Sequence, residues 1–162
     1  MGDITLEEWV RGMAVLAKQL FDNDGYIEPV AFIETEGKLS YLKLDFSDAD
    51  AKDMCADAIR SMCAKPDVER VLMITESWIT EVTDEKLFDK IQAVGIVASG
   101  VPRREVIMFR AEDREEMITA EYEIIRNKAG KPTLKPFKIV RKMDWTEGRF
   151  ANFMPRPKET RH

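Results

Sequence analysis

The stretch that decides the fold is Val71-Leu-Met-Ile-Thr-Glu-Ser-Trp-Ile-Thr-Glu-Val82. It is rich in β-branched and aromatic residues and has apolar side chains at both odd and even positions. This pattern predicts a long strand that is buried on both faces in the middle of a sheet. Glu76 interrupts the pattern, and burying a carboxylate is costly. We therefore expect Glu76 to have a hydrogen-bonded or charged partner, to reach water in a cleft, or to hold a proton.

The length and composition predict one globular domain. The chain has 162 residues, of which 44% are hydrophobic and 34% charged, so a single core is expected. We predict that the domain covers residues 1–154 and that residues 155–162 form a flexible tail. No apolar run approaches the roughly 20 residues of a membrane span, and the acidic N-terminal sequence is unlike a signal peptide. The predicted location is therefore the cytoplasm, without membrane contact.

The charged and reactive residues argue against several functions. The net charge of −5 weighs against nucleic acid as the main partner, because nucleic acid is held through its phosphates. The one histidine is His162, which leaves no Ser-His or Cys-His pair and no multi-histidine metal site. Neither a Gly-rich phosphate loop nor a Cys-x-x-Cys pair occurs. We therefore predict no metal and no cofactor, and we favour a protein that is not an enzyme.

Hydrophobic periodicity and turn residues predict an α+β domain. The predicted order is a helix over 5–21, strands over 26–34 and 38–46, a second helix from 47, the central strand, an insertion over 83–102, and strands over 105–111, 116–126 and 133–140. This order favours one antiparallel sheet of about five to six strands with the two main helices on one face. It is similar to the order of profilin-like and roadblock-type domains, which bind partners or small ligands more often than they catalyse. The insertion is interpreted as a lid or as a packed crossover.

Three short motifs carry a resemblance to other proteins. They are Thr75-Glu-Ser-Trp78, Pro102-Arg-Arg-Glu105 and Gly148-Arg-Phe150. Through them the chain resembles a group of small uncharacterised bacterial and phage α+β proteins. The resemblance supplies no activity.

Glu76, Arg103 and Arg104 are the candidate site residues. If the strand after the insertion pairs with the central strand, either arginine would enter the sheet beside Glu76 and neutralise it. One interpretation is a pocket in which Glu76 is a base or binds a cationic ligand, with Trp78 as a wall. The other is a structural ion pair beneath the insertion, and this second interpretation is favoured because such pairs are common in structural roles.

The C-terminal segment interleaves aromatic and basic residues. Trp145, Arg149, Phe150 and Phe153 are candidate contacts for a ligand or partner. Aromatic rings among arginines can stack on nucleic-acid bases, although such rings more often dock on their own domain or on a protein. The acidic body makes nucleic acid the less expected partner.

The leading prediction for function is a non-enzymatic binding or accessory module. It would self-associate or dock a protein through a sheet edge or through the aromatic C-terminal segment. The alternative is an enzyme or small-ligand receptor with a pocket centred on Glu76. A third possibility is nucleic-acid contact through the basic aromatic segment.

Overall fold

The computed structural model describes residues 4–79, 84–100, 102–143 and 153–154. In chain order the elements are α1 (Leu6–Asp24), β1 (Val30–Thr35), β2 (Lys38–Lys43), α2 (Ala49–Cys63), β3 (Val68–Ile79), α3 (Glu85–Val94), α4 (Ile96–Ser99), β4 (Arg104–Glu112), β5 (Met117–Arg126), β6 (Pro132–Leu134) and β7 (Lys138–Met143). The α+β fold class predicted from the sequence is confirmed.

The strands form one antiparallel sheet in the order β2-β1-β3-β4-β5-β6, and β7 also pairs with β5. The strand predicted over 133–140 is therefore two strands, β6 and β7, which pair with different parts of β5. The break falls at 135–137, where Pro136 has no N–H to donate and the Lys135 N–H bonds to the Glu123 carbonyl at 2.9 Å. Proline at this end of the sheet is consistent with the predicted edge.

The first half of the opening stretch, residues 71–75, is buried on both faces as predicted, whereas Trp78 further along β3 is 44% exposed. Leu72 and Ile74 pack with α1, whereas Val71 and Met73 pack with α2 on the other side of the sheet. The prediction that both helices lie on one face is therefore wrong. Successive side chains of a strand point to opposite faces, so a strand that is apolar at every position needs a cover on each side.

The insertion contains the two helices α3 and α4. None of the residues of α3 is buried, and Phe88 is 48% exposed. Ser99 at the end of α4 is buried. The function of the insertion as a lid stays a prediction.

The start of α1 is fixed in two ways. Thr5 caps the helix, and Thr5 and Glu8 exchange the reciprocal hydrogen bonds of a capping box. Arg70 of β3 then holds this end of α1 to the sheet. Its Nε donates to Glu34 Oε1 at 2.7 Å, its Nη1 donates to the Ile4 carbonyl, and both side chains of the ion pair are almost fully buried.

Replacing Arg70 with alanine is expected to lower the free energy of unfolding by about 3–5 kcal/mol, because Glu34 is left charged and buried without its partner. Urea denaturation at neutral pH measures this loss. The matched control is Arg126→Ala, which breaks the more exposed ion pair with Glu105 and should cost about 1 kcal/mol or less. Equal losses in the two variants would contradict the role of Arg70 as the buried anchor of α1.

Candidate functional site

A groove of about 400 Å³ lies between α1 and the hairpin formed by β1 and β2. Its lining is mainly apolar and aromatic. The lining includes Leu16 and Leu20 from α1, Tyr26 and Ile27 from the loop after α1, and Phe32 and Tyr41 from the hairpin. The volume and the composition of the lining are those of a small-molecule or side-chain pocket.

The groove is bordered by apolar side chains that the core does not use. Leu16 and Leu20 are 42% and 45% exposed, and Tyr26 and Tyr41 are 53% and 67% exposed. Leu16 and Leu20 continue the apolar stripe of α1, but they line the groove and are not buried in the core. Single exposed apolar residues are ordinary on protein surfaces, whereas several around one concavity indicate a binding site.

The loop over residues 25–29 forms one wall of the groove and is held at three points. Gly25 ends α1 in the left-handed conformation, with φ of 79°, and its N–H donates to the Phe21 carbonyl. The Ile27 N–H donates to Glu76 Oε2 at 2.5 Å. The Pro29 carbonyl accepts from the Leu44 N–H at 3.0 Å. The half-buried Glu76 thus has a backbone partner, and that partner belongs to the groove wall.

The predicted pairing of Glu76 with Arg103 or Arg104 is not found among the described residues; an arginine whose charge does interact with Glu76 is Arg126, which is hydrogen-bonded to Glu105. Arg104 lies on the opposite face of the sheet, where its Nη1 donates to Glu121 Oε2 at 2.6 Å. The Arg103 guanidinium lies over the Trp78 ring, 4.7 Å from its centroid. A structural ion pair therefore exists as expected, but its carboxylate belongs to β5. The alternation of side chains along β4 separates Arg104 from Glu76.

Phe153 contacts its own domain. It is buried with Met154 in the core on the α2 side of the sheet, and the Arg60 guanidinium lies over its ring. Glu112 Oε1 accepts from the Met154 N–H at 3.2 Å. The other candidates in this segment, Trp145, Arg149 and Phe150, lie outside the described residues, and their roles stay predictions.

Glu112 is almost fully buried, and its Oε2 has no hydrogen-bond partner among the described residues. Burial raises the pKa of Glu112 above its ordinary value. The backbone N–H groups of Phe153 and Met154, together with the charges of Arg110 and Arg60, oppose this shift without cancelling it.

The comparisons with known proteins supply no relative. No protein-family model matches the chain, and no curated protein and no solved structure matches it. The resemblance carried by the three short motifs therefore stays a prediction. Within the described ranges, no helix has the length and apolar character of a membrane span, and no three His, Cys, Asp or Glu side chains are grouped as metal ligands.

The groove itself is not predicted by the sequence. Its walls come from α1, a loop and a hairpin, so no short motif contains it. The sequence of α1 nevertheless carries one indication of a groove. Leu16 and Leu20 make its apolar face wider than is needed to pack against the core alone. Tyr26 directly after the helix-ending glycine is a second such indication.

Replacing Glu76 with glutamine is expected to cost about 1 kcal/mol of unfolding free energy, since the side chain still offers an oxygen to the Ile27 N–H but without charge. Glu76→Ala leaves this N–H without its acceptor and should cost more, about 1–3 kcal/mol. Urea denaturation of the two variants measures both losses and shows which of them is larger. A loss of about 3 kcal/mol or more for glutamine would instead indicate a broken buried ion pair.

The raised pKa of Glu112 predicts a specific dependence of stability on pH. The folded chain holds this proton more tightly than the unfolded chain, so the stabilisation is complete below the ordinary pKa of 4.5 and is lost as the pH rises through the raised value. Glu112→Gln removes this dependence. The free energy of unfolding of the variant relative to wild type should therefore rise between about pH 4 and about pH 8.

Chemical denaturation across this pH range tests the prediction. Glu115→Gln is the control for losing one carboxylate, because Glu115 is exposed in the adjacent turn. A difference between Glu112→Gln and wild type that does not vary with pH would contradict the account of Glu112.

Proposed function

We propose that this protein is a non-enzymatic binding module that receives apolar groups of a partner in the groove between α1 and the β1–β2 hairpin. The observation that carries the proposal is the ring of exposed apolar side chains around the groove, formed by Leu16, Leu20, Tyr26 and Tyr41. Covering such surface is favourable by roughly 25 cal/mol per Å². A partner that fills the groove would remove this apolar surface from water, and the burial would contribute to the free energy of binding.

The aromatic side chains define what the groove can recognise. The rings of Phe32 and Tyr41 lie 6.4 Å apart at 46°, and Tyr26 adds a third ring from the loop. Such rings bind apolar and aromatic groups through their faces, while tyrosine hydroxyls stay at the water boundary. The groove therefore suits an apolar or aromatic group with a polar end.

The charged residues at the mouth of the groove are Asp24, Glu28 and Lys43. Lys43 Nζ and Glu28 Oε2 are 3.9 Å apart, and both side chains are largely exposed. An exposed pair of this kind contributes little to stability, so either charge is available to orient a ligand.

In this proposal Glu76 has a supporting role and is not the centre of the binding site. The alternative function centred a small-ligand pocket on this carboxylate, but Glu76 is not among the residues that line the groove. It supports the groove instead, through its hydrogen bond to Ile27. Self-association, a cytoplasmic location and nucleic-acid contact through the C-terminal segment stay predictions.

The double variant Leu16→Gln/Leu20→Gln tests the groove with the fluorescent apolar probe anilinonaphthalene sulfonate. Wild type should bind the probe, and the variant should bind it about tenfold or more weakly, because two half-exposed leucines contribute roughly 1.5–3 kcal/mol of contact. The matched control is Val15→Gln/Met54→Gln, which changes two exposed apolar residues that do not line the groove.

Both double variants should retain wild-type stability within about 1 kcal/mol, because they alter exposed positions. Equal probe binding by the two variants would contradict the proposal. So would the absence of probe binding by the wild-type chain.

A further inference from the structure

β2 ends the described sheet and is exposed along its length. Every residue of β2 except Leu42 is exposed, and Leu39 and Tyr41 are 49% and 67% exposed. Leu42 packs into the α2 side of the core and holds the strand in place. The turn at Glu36 and Gly37, with φ of 50° and 77°, closes the hairpin with two residues.

The hairpin register shows which backbone groups of β2 face the open edge. Thr35 and Lys38 form the pair next to the two-residue turn. In such a hairpin this pair is hydrogen-bonded, and hydrogen-bonded and non-hydrogen-bonded pairs alternate along the strands. The backbone groups of Ser40 and Leu42 therefore bond to β1. The Leu44 N–H donates to the Pro29 carbonyl, as this alternation requires. The N–H and carbonyl groups of Leu39, Tyr41 and Lys43 therefore point away from β1, toward the edge.

The same alternation connects this edge to the groove. The side chains of Leu39, Tyr41 and Lys43 share one face of the strand, and Tyr41 and Lys43 line the groove. A strand added beside β2 lies about 4.8 Å away. Its residues opposite Leu39 and Tyr41 would project their side chains on the face that carries the groove.

Natural edge strands are usually protected by a proline, a bulge, a covering segment or charges. The β1–β2 register has no shift, and β2 contains no proline. Charges occur only at the two ends, Lys38 and Lys43, and they leave residues 39–42 uncharged. An extended partner with an acid opposite each lysine complements this pattern, and its acid opposite Lys43 would compete with the long, exposed contact between Lys43 and Glu28.

The length of the β2 edge favours a short peptide over a second copy of the chain as the binding partner. Six residues extend about 20 Å. Pairing two copies through β2 would bury less than the roughly 1,200 Å² of a stable interface and would bring four lysines to one seam. A short extended peptide needs no such area, because backbone hydrogen bonds and side-chain pockets hold it.

We propose that the partner of this module is an extended peptide segment that adds antiparallel to the free edge of β2. Its acidic residues face Lys38 and Lys43, and its alternate apolar side chains enter the groove. This inference rests on the proposed function, since it uses the same groove. It names the partner as a protein segment with an acidic-apolar pattern.

The test uses amide NMR spectra of the isotope-labelled full chain and a millimolar concentration of the peptide Glu-Thr-Phe-Thr-Leu-Glu. This peptide places phenylalanine opposite Tyr41 and leucine opposite Leu39. The amides of Leu39, Tyr41 and Lys43 should move downfield on hydrogen bonding, and those of Ser40 and Leu42 should move less. A peptide with lysine at both ends should bind more weakly, because its charges face lysines.

The variants Leu39→Pro and Leu39→Ala distinguish the contribution of the Leu39 N–H to peptide binding from that of its side chain. Both variants lose the leucine, but only proline removes the edge-facing N–H, and proline is tolerated at an edge. We expect the peptide to bind Leu39→Pro about tenfold more weakly than Leu39→Ala. Unchanged spectra away from β2 confirm that both variants are folded.

The outcomes distinguish the two proposals. If the apolar probe binds the groove but the peptide leaves the edge amides of β2 unshifted, the peptide inference is overturned while the proposed function stands. If the peptide binds Leu16→Gln/Leu20→Gln as well as wild type, its apolar side chains do not enter the groove, and the peptide inference is overturned; the groove function is judged separately by the apolar probe and fails if the probe binds the two double variants equally. Equal affinity for the two Leu39 variants, or a dimer without peptide that Leu39→Pro abolishes, overturns the peptide inference.

Discussion

The burial of residues 71–75 of β3 on both faces determines where the two long helices pack. Each of Val71, Leu72, Met73 and Ile74 is buried, so neither face of the sheet is left to solvent at these positions. α1 covers one face and α2 covers the other. Because α1 covers only part of its face, its outer side and the β1–β2 hairpin are left as the two walls of the groove.

Covering both faces also forces carboxylates into apolar surroundings, where two of them pair with arginines and two accept a backbone N–H. Glu34 pairs with Arg70, Glu121 pairs with Arg104, Glu76 accepts the Ile27 N–H, and Glu112 accepts the Met154 N–H. Burying a charge without such partners costs several kcal/mol. The bond made by Glu76 differs from the others because it positions a wall of the proposed binding site.

The sequence predicts the individual helices, strands and turns more accurately than it predicts how they pack together. The capping box at Thr5 and the two-residue turn at Gly37 depend on neighbouring residues, as does the apolar run of β3, and the predicted central position of β3 is confirmed. The apolar pattern of β3 requires a cover on each face, but which helix supplies each cover depends on packing between distant segments, which the periodicity of α2 does not encode. The partner of Arg104 depends on which face of β4 it occupies, and one residue of register decides this.

A crystallographic fragment screen of the full chain would show directly whether the groove between α1 and the β1–β2 hairpin is a binding site. The account predicts that apolar and aromatic fragments bind in the groove, against Leu16, Ile27 and Phe32, with the Ile27 N–H still bonded to Glu76. Fragments that cluster elsewhere while the groove is filled by its own side chains would contradict it.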